Sequence, residues 1–141
     1  FKKVESSFHI TPISNGKKPE NSRSFSMLLY DTWYKLETKD NIQPAGPVDS
    51  LDASILQNYL LNPILGIDDP RTNDRIDFVG GIRGLQELER RCRLDAEIAF
   101  ALYPVSINDL IRVADSGDVM PPKSTWFEPK LRSGLVVRLF D

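Results

Sequence analysis

The chain has little histidine, cysteine or methionine, since its 141 residues include one His, one Cys and two Met. A single His and a single Cys cannot form a His/Cys zinc site, an intrachain disulfide, a Cys-x-x-Cys couple or a haem motif. Nucleophilic catalysis of the Ser-His or Cys-His type would depend on His9, which we expect at the surface of a frayed segment. We expect Cys92, on an apolar helix face, to be a buried small hydrophobe. The sequence therefore predicts no metal and no redox chemistry housed in this chain.

The chain also lacks a strong charge of either sign and a long apolar run. Lys and Arg number 18 against 20 Asp and Glu, a formal net charge of -2, which makes nucleic acid an unexpected partner for this domain. No apolar run long enough to cross a membrane and no charged-then-apolar leader occur. We therefore expect no membrane contact and a cytoplasmic location. The first residue is Phe1 rather than Met, which favours a piece of a longer protein.

The hydrophobic content of 40% and charged content of 27% are typical of one globular domain. Residues 1–24 are predicted to be a poorly ordered segment, because Phe1, Val4 and Phe8 suggest a truncated helix and a run rich in Gly, Pro, Asn and Ser follows it. Residues 25–141 are predicted to form a single α+β domain.

Periodicity and turn residues predict the elements of that domain. The expected strands are 24–30 and 33–38 as a hairpin, then 75–79, 97–105 and 134–140. Strand 97–105 is apolar on both faces, which is expected of a central strand. The expected helices are 50–61, capped by Asp49 or Ser50 and ended by Asn62-Pro63, then 84–93, and a third between Ser106 and Gly117. In the third, Ser106 and Asp109 resemble a capping box, and the expected buried stripe is Leu110, Ile111 and Ala114. This order contains two strand-helix-strand units after an antiparallel start, so the predicted architecture is a mixed sheet with helices packed on it.

The first candidate site is the glycine loop (residues 80–84), which lies between a predicted strand and a predicted helix. Its anion-binding candidates are Gly80, Gly81, Arg83 and Gly84. Glycines allow close approach of the backbone to a ligand, and the amides at a helix start attract an anion. The spelling matches neither the Walker A nor the G-x-G-x-x-G motif, so a tight turn with helix–sheet packing is the preferred interpretation.

The second candidate is the proline loop (residues 120–130), which is too rich in proline for a helix or a central strand. Its oxyanion-binding candidates are Lys123, Ser124, Thr125 and Lys130, and its ring-stacking candidates are Trp126 and Phe127. A structural strap whose aromatics fill the core remains an equal alternative.

The third candidate is an acidic loop with carboxylates at Asp68, Asp69, Asp74 and Asp77. Carboxylates can hold Mg²⁺, but the spacing fits no EF-hand pattern and Arg71 and Arg75 are interleaved. Pairing between the Asp and Arg side chains is the preferred interpretation.

Two strings point to a family. PVDSLDASILQNYLLNPILGIDDPRTNDRIDFVGGIRG and VMPPKSTWFEPKLRSGLVV resemble the carboxyl-terminal part of the domain-of-unknown-function 1015 family, bacterial and archaeal proteins often described as related to ParB. The resemblance runs from near Phe25 to the end. It implies an upstream domain of the same protein, whose Ala-Asp-Gly-His-His-Arg-type segment is similar to the ParB/sulfiredoxin nucleotide-binding fold. Some relatives with that fold phosphorylate free serine, and this chain lacks the segment.

These observations leave three hypotheses. In the leading one, the chain is the carboxyl-terminal domain of a larger cytosolic protein and its glycine and proline loops close over an anion or a nucleotide phosphate, with a nucleotide as cofactor only of the full-length protein. Alternatively, the domain is an interaction module whose partner surface includes Tyr30, Trp33 and Tyr34 beside Trp126 and Phe127. In the third, it is an enzyme acting within this domain through Asp77 and Lys123. The family resemblance adds the alternative that the domain is part of a ParB-like serine-type kinase.

Overall fold

Four strands form the sheet in the computed structural model, which describes residues 1–125 of the chain. They are β1 (Phe8–Ile13), β2 (Ser24–Leu29), β3 (Thr32–Thr38) and β4 (Ile98–Leu102). The strand order is β1-β3-β2-β4, and each of the three pairings is antiparallel. The predicted α+β class and the predicted hairpin, which is β2–β3, are confirmed.

Three helical stretches accompany the sheet. The first is continuous and consists of α1 (Asp52–Leu56), a π-helical turn (Gln57–Leu61) and α2 (Asn62–Leu65); the others are α3 (Gly84–Leu94) and α4 (Ile107–Asp115). Short 3₁₀ turns cover Val4–Ser6 and Gly81–Arg83. The predicted helix 84–93 is therefore confirmed to within one residue.

The core lies between one face of the sheet and the first helical stretch. Side chains alternate between the two faces of a strand, so Phe25 and Met27 of β2 point the same way. They pack with Phe8 and Leu36 against Ile55 and its neighbours on the helix. Phe8 and Phe25 meet edge to face, with ring centroids 5.7 Å apart, a favourable aromatic geometry.

The opposite face of the sheet carries Trp33 and α3. The indole nitrogen Nε1 of Trp33 donates a hydrogen bond of 3.1 Å to Glu89 of α3. The chain before β2 crosses the same face, because the hydroxyl of Ser26 donates to the carbonyl of Lys17. Helices therefore pack on both faces of the sheet.

The N-terminal segment differs from the prediction. Residues 8–13 form strand β1 at one edge of the sheet, and Phe8 is fully buried. The expected truncated helix is limited to the 3₁₀ turn Val4–Ser6. The apolar spacing of Phe1, Val4 and Phe8 does not mark a longer helix, because Phe8 belongs to a strand whose alternation continues at Ile10. Proline at position 12 is tolerated because β1 is an edge strand.

The predicted strand at 75–79 does not form, although Ile76 and Phe78 alternate with a polar residue. The carboxylate of Asp77 accepts hydrogen bonds from Arg91 of α3 and from the amide of Phe78, each at 2.7 Å, which holds this segment beside the helix. The expected mixed sheet is antiparallel throughout the part of the chain that the structure describes, and there β4 ends the strand order instead of lying in the centre. The predicted strand 134–140 lies outside the described residues.

The first helical stretch also differs at both ends. Neither Asp49 nor Ser50 caps it; the N-cap position is Leu51, and the Ser50 hydroxyl donates to Pro47 instead. The stretch continues past Asn62-Pro63, because proline is tolerated in the first turn of α2, after the π-helical turn.

Helix α4 confirms its predicted caps but not its predicted buried face. Ser106 and Asp109 form the expected capping box, and Gly117 follows the helix with a φ of 75°. The buried residue is Val113, whereas Ile111, expected in the apolar stripe, is half exposed.

Candidate functional site

A cleft of about 180 Å³ lies where β2 begins, β4 ends, and α1 and α4 begin. We call it the aspartate cleft, because two carboxylates and two arginines lie in its walls. The polar residues that matter for its chemistry are Asp52, Asp109, Arg23, Arg112, Ser50 and the backbone of Tyr103.

Each charged residue of the cleft occupies a defined position at the end of an element. Asp52 is the first residue of α1, and Asp109 is the capping-box residue of α4, with Arg112 one turn later. Arg23 directly precedes β2 and has a φ of 65°, an uncommon conformation for a residue with a side chain. The cleft is therefore assembled by tertiary structure from three separate parts of the chain.

Asp52 is the most buried charged residue of the cleft, with 6% of its surface exposed. Its Oδ1 accepts a hydrogen bond of 2.7 Å from the backbone amide of Arg23. Its Oδ2 is shut off from solvent and has no hydrogen-bond partner among residues 1–125. Buried polar groups in native proteins are nearly always hydrogen-bonded, so this oxygen calls for an explanation.

Burial raises the pKa of Asp52 from 3.8 to about 6, because desolvation disfavours the charged carboxylate. The hydrogen bond from the Arg23 amide opposes this rise, and the negative charge of Asp109 adds to it. The Arg23 guanidinium lowers the pKa by a smaller amount. The Tyr103 amide lies close enough to Asp52 to lower its pKa slightly, although it makes no hydrogen bond of normal geometry to Oδ2. The result is a carboxyl group that can exchange a proton close to neutral pH.

Arg112 stands at the mouth of the cleft. Its Nη2 donates to the Ser50 hydroxyl at 3.1 Å, and its Nη1 lies 3.5 Å from Asp109. The side chain is 56% exposed, so several of its N–H groups face solvent. The Arg23 guanidinium, by contrast, donates to the carbonyl of Ile42 at 2.7 Å. The interior of the cleft is therefore acidic and its mouth is basic.

The glycine loop is open. Gly80 has an extended backbone, residues 81–83 form a 3₁₀ turn, and only Gly84, with a φ of 69°, needs a glycine for its conformation. A Cβ added at Gly80 or Gly81 would meet no atom within 4 Å. The helix–sheet packing expected from the sequence is therefore not what these two glycines provide. Arg83 is exposed and lies 3.8 Å from Glu87.

The proline loop is only partly described. Lys123 is exposed and has a φ of 58°, Thr125 is also exposed, and the Ser124 hydroxyl donates to the carbonyl of Pro121 at 2.6 Å. The other candidates of this loop, Lys130, Trp126 and Phe127, lie outside the described residues. Within residues 1–125, no hydrogen bond or ion pair joins the proline loop to the glycine loop. The predicted shared site has no contact to support it.

The acidic loop forms Asp–Arg pairs, as preferred from the sequence. Arg71 contacts Asp69 at 2.7 Å and lowers the pKa of this carboxyl to about 2, and Asp77 pairs with Arg91. Arg75 instead donates to the carbonyl of Leu65. Over the described range, no three His, Cys, Asp or Glu side chains are grouped as a metal site would need.

The remaining single-residue predictions concern side chains outside the cleft. His9 is exposed on β1, as expected. Cys92 is half-buried rather than fully buried, and burial raises the pKa of its thiol, which disfavours the nucleophilic thiolate. Among the hairpin aromatics, Tyr30 is exposed but Trp33 is buried and Tyr34 packs against Phe1, so they do not form one aromatic surface.

The aspartate cleft does not follow from the sequence patterns. One signal for it exists, because Asp52 lies four and seven residues before Leu56 and Tyr59, at the spacing of a helix face that is otherwise apolar. A carboxylate on such a face is a buried polar group that needs a reason. Nothing in the sequence places Arg23 or Asp109 beside it.

Comparison of the chain with protein-family models, with curated proteins and with solved structures finds no match. Of the helices in residues 1–125, none has the length and apolar character that crossing a membrane requires. The function must therefore be argued from the geometry of the site.

Proposed function

We propose that this chain is a ligand-binding domain and that it binds a small polar molecule in the aspartate cleft. The observation that carries the proposal is the convergence of Asp52, Asp109 and Arg112 on one cleft, where the buried Oδ2 of Asp52 has no partner among the described residues. Leaving a buried carboxylate oxygen unpaired costs free energy. Because this oxygen is shut off from solvent, a ligand can donate a hydrogen bond to it only by displacing the side chains that cover it, and it then recovers part of this cost.

A titration of the isotope-labelled chain with small amines, polyols and carboxylates tests this proposal. We expect at least one class to shift the amide resonances of Arg23, Tyr103 and Asp109, which surround the cleft. Asp52→Asn should weaken that binding about tenfold or more, since a hydrogen bond to a charged group contributes about 1.5–3 kcal/mol.

The matched control is Asp69→Asn, which removes a partly exposed carboxylate outside the cleft. This variant should bind as the wild type does. Resonance shifts confined to other surfaces, or equal affinity in Asp52→Asn, would contradict the proposal.

A second candidate function is binding of an anion or a nucleotide phosphate at the glycine loop. It is favoured by one observation, namely that neither packing nor a positive φ explains Gly80 and Gly81. The exposed Arg83 guanidinium supplies donors for an anion, whereas the amides of Arg83 and Gly84 already donate to the carbonyls of Gly80 and Gly81. The proline-loop donors Lys123, Ser124 and Thr125 remain part of this proposal.

The glycine loop offers a clean variant. Gly81→Ala should fold normally, because its Cβ meets no atom within 4 Å. If phosphate contacts this backbone, Gly81→Ala and Arg83→Gln should each weaken binding of inorganic phosphate or ADP severalfold in a calorimetric titration. Arg93→Gln, an exposed arginine at the other end of α3, should not change it. If all three variants bind phosphate as tightly as the wild type does, the glycine loop is not the phosphate-binding site.

The setting of the domain is also a proposal. The resemblance to the domain-of-unknown-function 1015 family supports a cytoplasmic protein with an upstream domain, in which this chain supplies a binding site. A serine-type kinase would need catalytic residues from that upstream domain. The alternative of an interaction module is weakened, because Trp33 is 6% exposed and cannot contact a partner.

A further inference from the structure

We infer that a second cleft of this chain binds a small organic anion, in which a carboxylate or phosphate group is attached to a compact apolar body. This cleft measures about 500 Å³ and lies between residues 3–7 and residues 58–64. We call it the π-turn cleft. Among residues 1–125 it shares no lining residue with the aspartate cleft, so the inference goes beyond the proposed function and does not depend on it.

One wall of the π-turn cleft depends on the π-helical turn of the first helical stretch. Its residues form two pairs, each five residues apart: Asn58 with Pro63, and Tyr59 with Ile64. In a regular α-helix, residues five apart point about 140° away from each other, since each residue turns the helix by about 100°. A π-helix brings such residues onto one face, because its hydrogen bonds join residues i and i+5. The unusual turn therefore gathers these four side chains on one side of the cleft.

The sequence maintains this turn. The amide of Asn62 donates to the carbonyl of Gln57, five residues earlier, as a π-helix requires. In a regular α-helix, the ring of Pro63 would clash with the carbonyl of Tyr59, four residues before it. The proline therefore holds the wall in its π-helical register, an arrangement that is rare in proteins and occurs frequently at functional sites.

The side chains that line the π-turn cleft offer hydrogen-bond donors and a positive charge. Asn58 and Tyr59 supply an amide and a phenol hydroxyl, and on the opposite side Lys3 and Ser7 supply an ammonium group and a hydroxyl. Within residues 1–125, the side chains of Lys3, Asn58 and Tyr59 form no hydrogen bond or ion pair, and no Asp or Glu lines the cleft. All four side chains are exposed or half-buried, so a ligand reaches them from solvent. An oxyanion accepts hydrogen bonds from such donors and pairs with the ammonium group, whereas a cationic ligand meets a like charge.

Apolar surface beside these donors sets the rest of the ligand. The ring of Tyr59 and the side chains of Pro63 and Ile64 lie on the same wall, and they can pack against a flat ring or a short alkyl chain. A volume of about 500 Å³ falls within the range of small-molecule sites. The ligand class is consequently a small organic acid or phosphate monoester, with its oxyanion toward Lys3 and its apolar part against the π-helical turn.

The test titrates the whole isotope-labelled chain with three probes that carry the same ring: benzoate, phenyl phosphate and benzyl alcohol. We expect benzoate or phenyl phosphate to shift the amide resonances of Ser7, Asn58 and Tyr59 at a concentration about tenfold or more below that of benzyl alcohol, because a charged group strengthens the hydrogen bonds. The tighter of the two anions shows whether the site prefers a carboxylate or a phosphate.

Two pairs of variants locate the anion. Lys3→Gln should weaken binding of the tighter anion about tenfold, whereas Lys18→Gln, which removes the same charge from an exposed position that does not line the cleft, should not change it. Asn58→Asp places a negative charge in the wall and should also weaken binding about tenfold. Asn62→Asp adds the same charge at an exposed residue that would share a face with Asn58 in a regular α-helix but does not line the cleft, so its effect should be about twofold or less.

Several outcomes would overturn the inference. They are equal affinity for benzyl alcohol and the anions, equal effects of Lys3→Gln and Lys18→Gln, or equal effects of Asn58→Asp and Asn62→Asp. Anion-induced shifts that are confined to the glycine loop and are lost in Arg83→Gln would place the anion there instead. Asp52→Asn should leave binding in the π-turn cleft unchanged, so the inference and the proposed function can fail independently.

Discussion

Asp52→Asn should make the folded chain more stable at pH 7.5, by about 2 kcal/mol. The buried carboxylate has a pKa of about 6 in the folded state against 3.8 in the unfolded state. A pKa difference of one between the two states corresponds to about 1.4 kcal/mol, so the ionised carboxylate costs the fold about 3 kcal/mol. Asparagine retains an acceptor for the Arg23 amide and carries no charge. Its own buried N–H donors cost part of the free energy that is gained by removing the charge, which leaves a net gain of about 2 kcal/mol.

The sign of the pH dependence distinguishes this effect from ordinary acid denaturation. The folded state binds the proton more tightly than the unfolded state does. Ionisation of this carboxyl therefore does not lower the free energy of unfolding below about pH 4, lowers it increasingly between about pH 4 and pH 6, and has its full effect above pH 6. The stability difference between Asp52→Asn and the wild type should therefore be small at pH 4 and largest above pH 6.5. Urea unfolding at several pH values measures it.

The carboxylates that pair with arginines act in the opposite direction. Arginine partners lower the pKa of Asp69, Asp77 and Glu87, so their favourable contribution is lost as pH falls through the lowered pKa values. These contributions are the same in the wild type and in Asp52→Asn, so they cancel in the stability difference between the two proteins. Asp69→Asn provides the control, since the pKa of Asp69 is lowered from 3.8 to about 2, so its stability difference from the wild type should have the opposite sign and stay constant between pH 4 and pH 7.5. A difference for Asp52→Asn that does not change with pH would show that burial does not perturb this carboxyl.

This expected gain in stability bears on function. A carboxylate that destabilises its own fold is typical of a residue retained for binding or catalysis. The same substitution should strengthen the fold and weaken ligand binding in the aspartate cleft. A purely structural Asp52, whose only role is to accept the Arg23 amide, would show the first effect without the second.

The elements that could be predicted from the sequence are those with local causes. Alternation in residues 24–38 predicts the β2–β3 hairpin, and the Ser106–Asp109 pair predicts the start of α4, because a capping box is a contact three residues apart. The apolar face of residues 84–93 likewise predicts α3. Each signal lies within a few residues of the structure it specifies.

The elements that could not be predicted depend on distant partners. Residues 75–79 have the alternation of a strand, but Asp77 forms an ion pair with Arg91, 14 residues away, instead of joining the sheet. β1 has a weak pattern of its own and is fixed by pairing with β3. The aspartate cleft is the extreme case, since Arg23 and Asp52 are 29 residues apart and Asp109 lies on a third element. The candidate site therefore could not be predicted from patterns among residues that are close in the sequence.

Gly16→Ala should destabilise the fold by about 2–3 kcal/mol, because there is no room for a methyl group at this position. An added Cβ would lie 2.5 Å from Cε2 and 2.8 Å from Nε1 of Trp33, closer than carbon contacts allow. Overpacking of this kind costs about 1–3 kcal/mol. The indole cannot easily move away, since it is 6% exposed and its Nε1 donates to Glu89 of α3.

A double-mutant cycle separates this clash from a general cost of replacing glycine. Trp33→Phe removes the part of the indole that the methyl group would meet, so Gly16→Ala should cost much less in that background, with a coupling of at least about 1 kcal/mol. Gly46→Ala is the matched control, because its Cβ would meet nothing within 4 Å. Equal costs of Gly16→Ala in both backgrounds, measured by urea unfolding, would contradict the contact. A large coupling would show that contact between Gly16 and the Trp33 indole fixes the segment before β2 on the α3 face of the sheet. The same segment leads to Arg23, so this contact also helps to position the aspartate cleft.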